Sequence, residues 1–160
     1  MDASADQPVL DLLTESLAGQ HARIRELFRE VQRATDPEAT EQVFSDLVRF
    51  LAIHETGEQV ALHGAAAVQT GRDRIHEEEA AVQLIERLED LGPRSSSFHI
   101  QLDLLAEAVD RHARTEESVE LPLFLAAADA SDVARLVGIL RLVEECAADR
   151  APTASVPHAG

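Results

Sequence analysis

The chain has 160 residues and a mass of 17.4 kDa, which fits one domain with a buried core and leaves too little for two. Hydrophobic residues at 45% and charged residues at 28% exclude a disordered or fibrous chain. With Lys+Arg 14 against Asp+Glu 30 the net charge is −16, which repels nucleic-acid phosphates and anionic lipid surfaces and favours cations as partners.

No apolar run approaches the roughly 20 residues of a membrane span. The first residues, Met1-Asp2-Ala3-Ser4-Ala5-Asp6-Gln7, have neither a basic stretch nor an apolar one, so a cytoplasmic location is expected. A single Cys146 excludes an intrachain disulfide and a cysteine-rich zinc site. With no Trp and no Tyr, an aromatic platform for stacking bases or sugars is not expected.

The chain reads as helix nearly throughout, rich in Ala, Leu, Glu, Arg and Gln with sparse punctuation. Residues 1–8 are expected to be disordered. Helix one is expected from Val9 to Ala34, carrying Leu10, Leu13, Leu17, Ile24, Phe28 and Val31 on one stripe. Asp36 as N-cap and Pro37 at the first position open helix two, which is expected to reach about Ala67 with Phe44, Leu47, Leu51 and Leu62 inward. Helix three is expected over Arg72 to Leu91, stopped by Gly92-Pro93, with Ala81, Val82, Ile85 and Leu88 as its apolar positions. Ser95-Ser96-Ser97 caps helix four, expected to run to about Ala128 with Leu102, Leu105, Val109, Val119 and Leu123 inward. Ser131 is expected to cap a shorter fifth helix ending near Asp149, with Cys146 buried in it, and residues 150–160 read as a disordered tail. Four long helices with short connections over residues 9–149 predict an all-α, up-down-up-down four-helix bundle with a short fifth C-terminal helix.

The informative residues fill gaps in those stripes. Between Leu17 and Ile24 the stripe passes through His21; between Leu51 and Leu62 it passes through His54 and Glu58; between Val109 and Val119 it passes through His112 and Glu116. Taken singly, each histidine has a plain structural alternative as a hydrogen-bonded core imidazole. Together they place two carboxylates and three imidazoles in an apolar core, where an uncompensated carboxylate costs several kcal/mol or becomes neutral. A shared metal ion compensates them. His and Glu at i, i+4 lie one above the other on a helix face, and inward Glu and His build di-iron and di-manganese centres in bundles. On helix three, counting back seven residues from Ile85 gives Glu78 as the inward group. His76 and Glu79 take that place if the helix is rotated. Glu55, beside the inward stripe, and His63, near the end of helix two, are further candidates. Glu117 and the rest of the Glu77–Glu79 run read as surface charges, and His99 and His158 as exposed.

These residues resemble the hemerythrin-like, or HHE, cation-binding domain family. Its pattern is a His in helix one, His-x-x-x-Glu in helix two, a His in helix three and His-x-x-x-Glu in helix four. Gln20-His21-Ala22-Arg23-Ile24, His54-Glu55-Thr56-Gly57-Glu58 and His112-Ala113-Arg114-Thr115-Glu116-Glu117 match the first, second and fourth elements, and Pro122 follows His112 by ten residues as in the family. The third element departs, reading Glu77-Glu78 where a Glu-His pair stands in the family, with Arg74 one turn earlier. The resemblance covers residues 9 to 128. It implies a non-heme di-iron centre, with manganese as a second possibility. His21, His54 and His112 would then be terminal ligands, Glu58 and Glu116 bridges, and Glu78 a terminal carboxylate.

The function expected from this reading is sensing or handling of dioxygen, nitric oxide or peroxide, by a monomer or homodimer with no nucleic-acid or membrane partner. Two alternatives follow from the same residues. One is a regulatory or interaction bundle whose metal site is partly lost, suggested by Arg74 and Glu78. The other is iron storage or buffering, suggested by the acidic surface.

Overall fold

A computed structural model of the chain describes residues 7–62 and 71–148. Helix α1 spans Gln7–Arg33, α2 Pro37–Leu62, α3 Gly71–Leu91 and α4 Ser96–Thr115; a π-helical turn, Glu116–Glu120, joins α4 without a break to α5, Leu121–Ala127; and α6 spans Ala130–Ala148. No strand occurs among the described residues. Of the N-terminal segment expected to be disordered over 1–8, Gln7 and Pro8 belong to α1; residues 1–6, the expected tail at 150–160, the end of helix two beyond Leu62, His63, His158 and the side chains of Leu62 and Arg74 lie outside the described residues.

The helix ends follow from local chemistry. Asp36 Oδ1 accepts from the Ala39 N–H at 2.8 Å, capping α2 in front of Pro37. Ser95 Oγ accepts from the Ser97 N–H at 3.3 Å and caps α4. Gly92 takes a left-handed φ of 63° just past α3, a conformation that an L side chain resists, and its N–H donates to Leu88 O at 3.0 Å. The cap of α6 is Asp129 and not the expected Ser131. Asp129 Oδ1 accepts from the N–H groups of Ser131 and Asp132 at 2.8 and 2.9 Å, and the Asp132 carboxylate reaches back to the Asp129 N–H at 3.3 Å. This reciprocal box satisfies more of the orphan donors at the helix start than a lone serine does.

The fold is an all-α bundle. Helix α1 packs on α2 and α4, α3 packs on α4, and α6 lies against α2 and α1. The core falls into two apolar clusters. One gathers Ile24, Leu27, Phe28, Val31, Phe44, Leu47, Phe50, Leu51, Leu88, Phe98, Leu102 and Leu105. The other gathers Leu13, Leu17, Leu121, Phe124, Leu136 and Leu140. Along α1, α2 and the α4–α5 rod the ionisable stratum lies between or at the edge of these clusters. Fully burying a large apolar side chain contributes about 1.5–3 kcal/mol, and many such residues here offset a layer of groups that costs several kcal/mol each unless compensated.

Three sequence expectations need correction. Val119 and Leu123 are exposed, and Leu121 and Phe124 are buried in their place. The Leu121 N–H bonds to Glu116 O five residues back, and Pro122 has no N–H to donate to the preceding turn. The π turn takes in one extra residue, so every inward position after it moves on by one. On α3, Val82 is 54% exposed, whereas Leu88 is fully buried and Ala81, Leu84 and Ile85 pack against the core. Cys146 is exposed, and its carbonyl accepts from Arg49 Nη2 at 3.0 Å.

Candidate metal centre

His21 on α1, His54 and Glu58 on α2, and Glu116 at the first position of the π turn are all buried. Each offers a ligand atom within 4.8 Å of the others. Glu55, Glu58 and His112 form a second group of the same kind. Glu58 belongs to both and divides its oxygens between them. Its Oε1 lies 2.9 Å from His54 Nε2 and 3.9 Å from His21 Nε2, and its Oε2 lies 3.8 Å from His112 Nε2. Glu116 Oε2 is 3.3 Å from His21 Nε2, and Glu55 Oε1 is 3.8 Å from His112 Nε2.

All three imidazoles turn Nε2 inward and back Nδ1 with an oxygen. His21 Nδ1 meets Glu117 Oε1 at 2.6 Å, His54 Nδ1 meets Gln20 Oε1 at 3.0 Å, and His112 Nδ1 stands 3.6 Å from Glu77 Oε2. An acceptor behind Nδ1 fixes the proton there and aims the Nε2 lone pair into the cluster, as in metal-ligating histidines. Oxygen on both sides of a neutral imidazole is balanced at one side only, because the ring has one N–H. Three rings in that position, together with the Glu58 and Glu116 carboxylates, call for positive charge at the centre. Protons or cations can supply it, and a cation satisfies several donors at once. His21 Nε2 is buried and makes no hydrogen bond among the described residues.

The electrostatics prepare the ligands. Burial holds the His21 imidazole below its ordinary value of 6.5 and outweighs the opposing pull of Glu117, so the ring is neutral and able to ligate. Burial alone would push Glu58 up. The neighbouring His112 and His54 imidazoles outweigh it and hold the carboxyl well below 4.5, so it is ionised. Behind Glu117 a chain of charges runs to the surface: Arg25 Nη2 lies 3.9 Å from Glu117, Arg25 Nε donates to Asp110 at 2.7 Å, and Arg114 reaches Asp110 at 2.5 Å.

Of the residues expected from sequence, the structure brings His21, His54, Glu58 and Glu116 together and sets His112 against the other face of Glu58. Glu78 is in neither group. It is half-buried, faces the same cavity as Glu55 and His112, and its Oε2 accepts from Gln59 Nε2 at 3.1 Å. His76 is exposed and pairs with Glu79 at 3.7 Å. Glu55 joins the second group. Glu77, Glu117 and Gln20 were not singled out from the sequence as part of the cluster. Gln20 is buried beside His21, and Glu117 reaches His21 from the π turn. A cavity of about 190 Å³ between α2, α3 and α4 opens onto Glu55, Glu77 and His112.

The donor set of imidazoles and carboxylates in a bundle core is that of dinuclear carboxylate-bridged centres and fits iron or manganese. Comparison with known proteins points to cation binding. The family model described as Hemerythrin HHE cation binding domain matches residues 12–124. A protein named DNA nickase from Nostoc sp. (strain PCC 7120) is 26% identical over 102 residues, 61% of this chain, which spans 29% of that relative's length. No solved structure matches.

Proposed function

The chain belongs to the Hemerythrin HHE cation binding domain family, and on that premise we propose that its buried cluster is a dinuclear non-heme iron centre, with manganese as the alternative ion, that handles dioxygen, nitric oxide or a peroxide. One observation carries this reading: Glu58 belongs to two metal-sized groups and faces each with a different oxygen. In this assignment His21, His54 and Glu116 would hold one ion, His112 and Glu55 would hold the other, and Glu58 would serve both. Iron there would supply redox activity and open positions for a small ligand. The second group has one nitrogen donor against the first group's two, which makes the two halves unequal.

The chain's own residues set the surroundings. Gln20, Glu117 and Glu77 orient the three rings. The apolar clusters on either side keep bulk water from the inner group. The cavity at His112, about 190 Å³, is several times the roughly 30 Å³ of a water, so it admits a diatomic or a peroxide with space to spare. DNA nicking is not part of this reading: the −16 charge opposes a phosphate backbone, and the chain spans a minor part of the relative so named.

Metal analysis and absorption spectroscopy of protein from iron-supplemented cells test the assignment. About two irons per chain are expected from the two groups, with near-ultraviolet bands of a bridged ferric pair. Replacing both His54 and His112 with Ala should abolish uptake while leaving helical content largely intact. Unchanged iron in that double variant overturns the assignment. Many weakly held ions per chain would point to storage, and none to an interaction bundle.

A further inference from the structure

His54 is oriented differently from the other two histidines. His21 and His112 back onto the carboxylates of Glu117 and Glu77, which are 34% and 47% exposed. His54 backs onto a neutral amide, Gln20, which is 3% exposed. Gln20 is itself fixed from elsewhere: its Nε2 donates to the backbone carbonyl of Leu140 on α6 at 3.2 Å, which leaves Oε1 to accept from His54. The ring of His54 is thus aimed by a relay that starts on the C-terminal helix.

The same helix presses on the turn that carries His54. A Cβ at Gly57, three residues after His54, would come within 2.8 Å of Val143 Cγ2 and 3.2 Å of Ile139 Cγ2. Ile139, Leu140 and Val143 are consecutive inward positions of α6, so one face of this helix both abuts the α2 backbone and holds Gln20.

We propose that Gln20 is a positioning residue through which docked α6 aims His54, so that ion retention at the His54 side of the centre and docking of α6 are one coupled equilibrium. This rests on the reading of the buried cluster as a cation centre. Coupling of this kind is reciprocal: α6 docking raises affinity, and bound ion tightens α6 by the same factor. Loss of an orienting partner behind a ligating histidine lowers metal affinity by about 10–100-fold.

Two near-isosteric variants separate the parts of the relay. Gln20→Met keeps the bulk and removes both the acceptor toward His54 and the donor toward Leu140. Gln20→Glu keeps an acceptor toward His54 and removes the donor. The full chain is titrated anaerobically with Fe(II) alone, and hydrogen exchange of the α6 amides is followed with and without the metal. In the wild type, loading should slow exchange over Ile139–Val143. In Gln20→Met, one of the two ions should bind about 10–100-fold more weakly, the other should be little changed, and the effect of metal on α6 should vanish. Gln20→Glu should restore affinity and leave α6 uncoupled, a split that a merely structural role of Gln20 would not give. Wild-type protein that takes up no Fe(II) overturns the cation centre and this coupling together. Wild-type protein that takes up two ions, with Gln20→Met matching its affinity or its α6 response, leaves the centre standing and overturns the role given to Gln20.

Discussion

At the scale of single residues, Glu58 is the least replaceable group in the cluster. It alone belongs to both ligand groups, so Glu58→Gln should lose both ions, whereas Glu55→Gln should weaken one and leave the other, as read by metal content after dialysis. Acid should act on the same residues in two ranges. The His21 imidazole is held below 6.5 in the fold, so the unfolded chain takes up its proton first, and stability falls as pH drops from 6.5 toward the lower native value. Glu58 is held well below 4.5, so its contribution is complete above 4.5 and is lost as pH falls through the lower native value. Thermal melts of the metal-free protein between pH 7.5 and 3 should show both declines, and His21→Gln should remove the upper one. Metal uptake should weaken over the same upper range, since ligating imidazoles must first shed their protons. His21, His54, Glu58, His112 and Glu116 were legible as positions because each interrupts an apolar stripe at helical spacing. Glu117 and Gln20 were not legible, because neither adjacency to a histidine nor an acidic run distinguishes a residue behind the ring from one in solvent.

At the scale of elements, the departures from sequence expectation trace to helical phase. Counting in threes and fours along helix four arrives at Leu123, and the π turn delivers Phe124 to the core. On α3, Val82 is exposed while Ala81, Ile85 and Leu88 face the core, and Glu77, itself exposed, approaches His112 from the flank of the helix. Periodicity identifies a helix readily but carries no mark for an inserted residue, and a weakly apolar helix gives its phase poorly. The wide turn has a consequence for the cluster: consecutive carboxylates reach the two nitrogens of one ring, Glu116 at Nε2 and Glu117 at Nδ1 of His21. Deleting the exposed Val119, which restores ordinary helical pitch, should leave Phe124 in the core and the far-ultraviolet circular dichroism near wild type. It should lower cation affinity by about tenfold or more, in line with the loss of a partner around a ligating ring. Gly57→Ala tests the α2–α6 contact. Overpacking against Val143 and Ile139 should cost about 1–3 kcal/mol, visible as a lower midpoint in urea with an unchanged slope.

At the scale of the whole molecule, an all-α bundle was legible because five stretches of helical periodicity are separated by strong stop signals such as Asp36-Pro37 and Gly92-Pro93, and these hold in the structure. An ion that binds the native state alone stabilises it by about 2.7 kcal/mol at one hundred times its dissociation constant. For a chain of this size that should raise the melting temperature by roughly 5–11 °C, and a chelator should return it. The stratum of imidazoles and carboxylates that parts the core also bears on how the chain unfolds. Two apolar clusters meeting across a layer of ionisable side chains share little apolar contact there, so each can open without the other. The metal-free protein should therefore melt in two calorimetric steps, the Phe124–Leu140 half separating from the Phe98–Leu105 half. With ions joining the two halves, the steps should merge into one, and the centre would then be the source of the molecule's cooperativity.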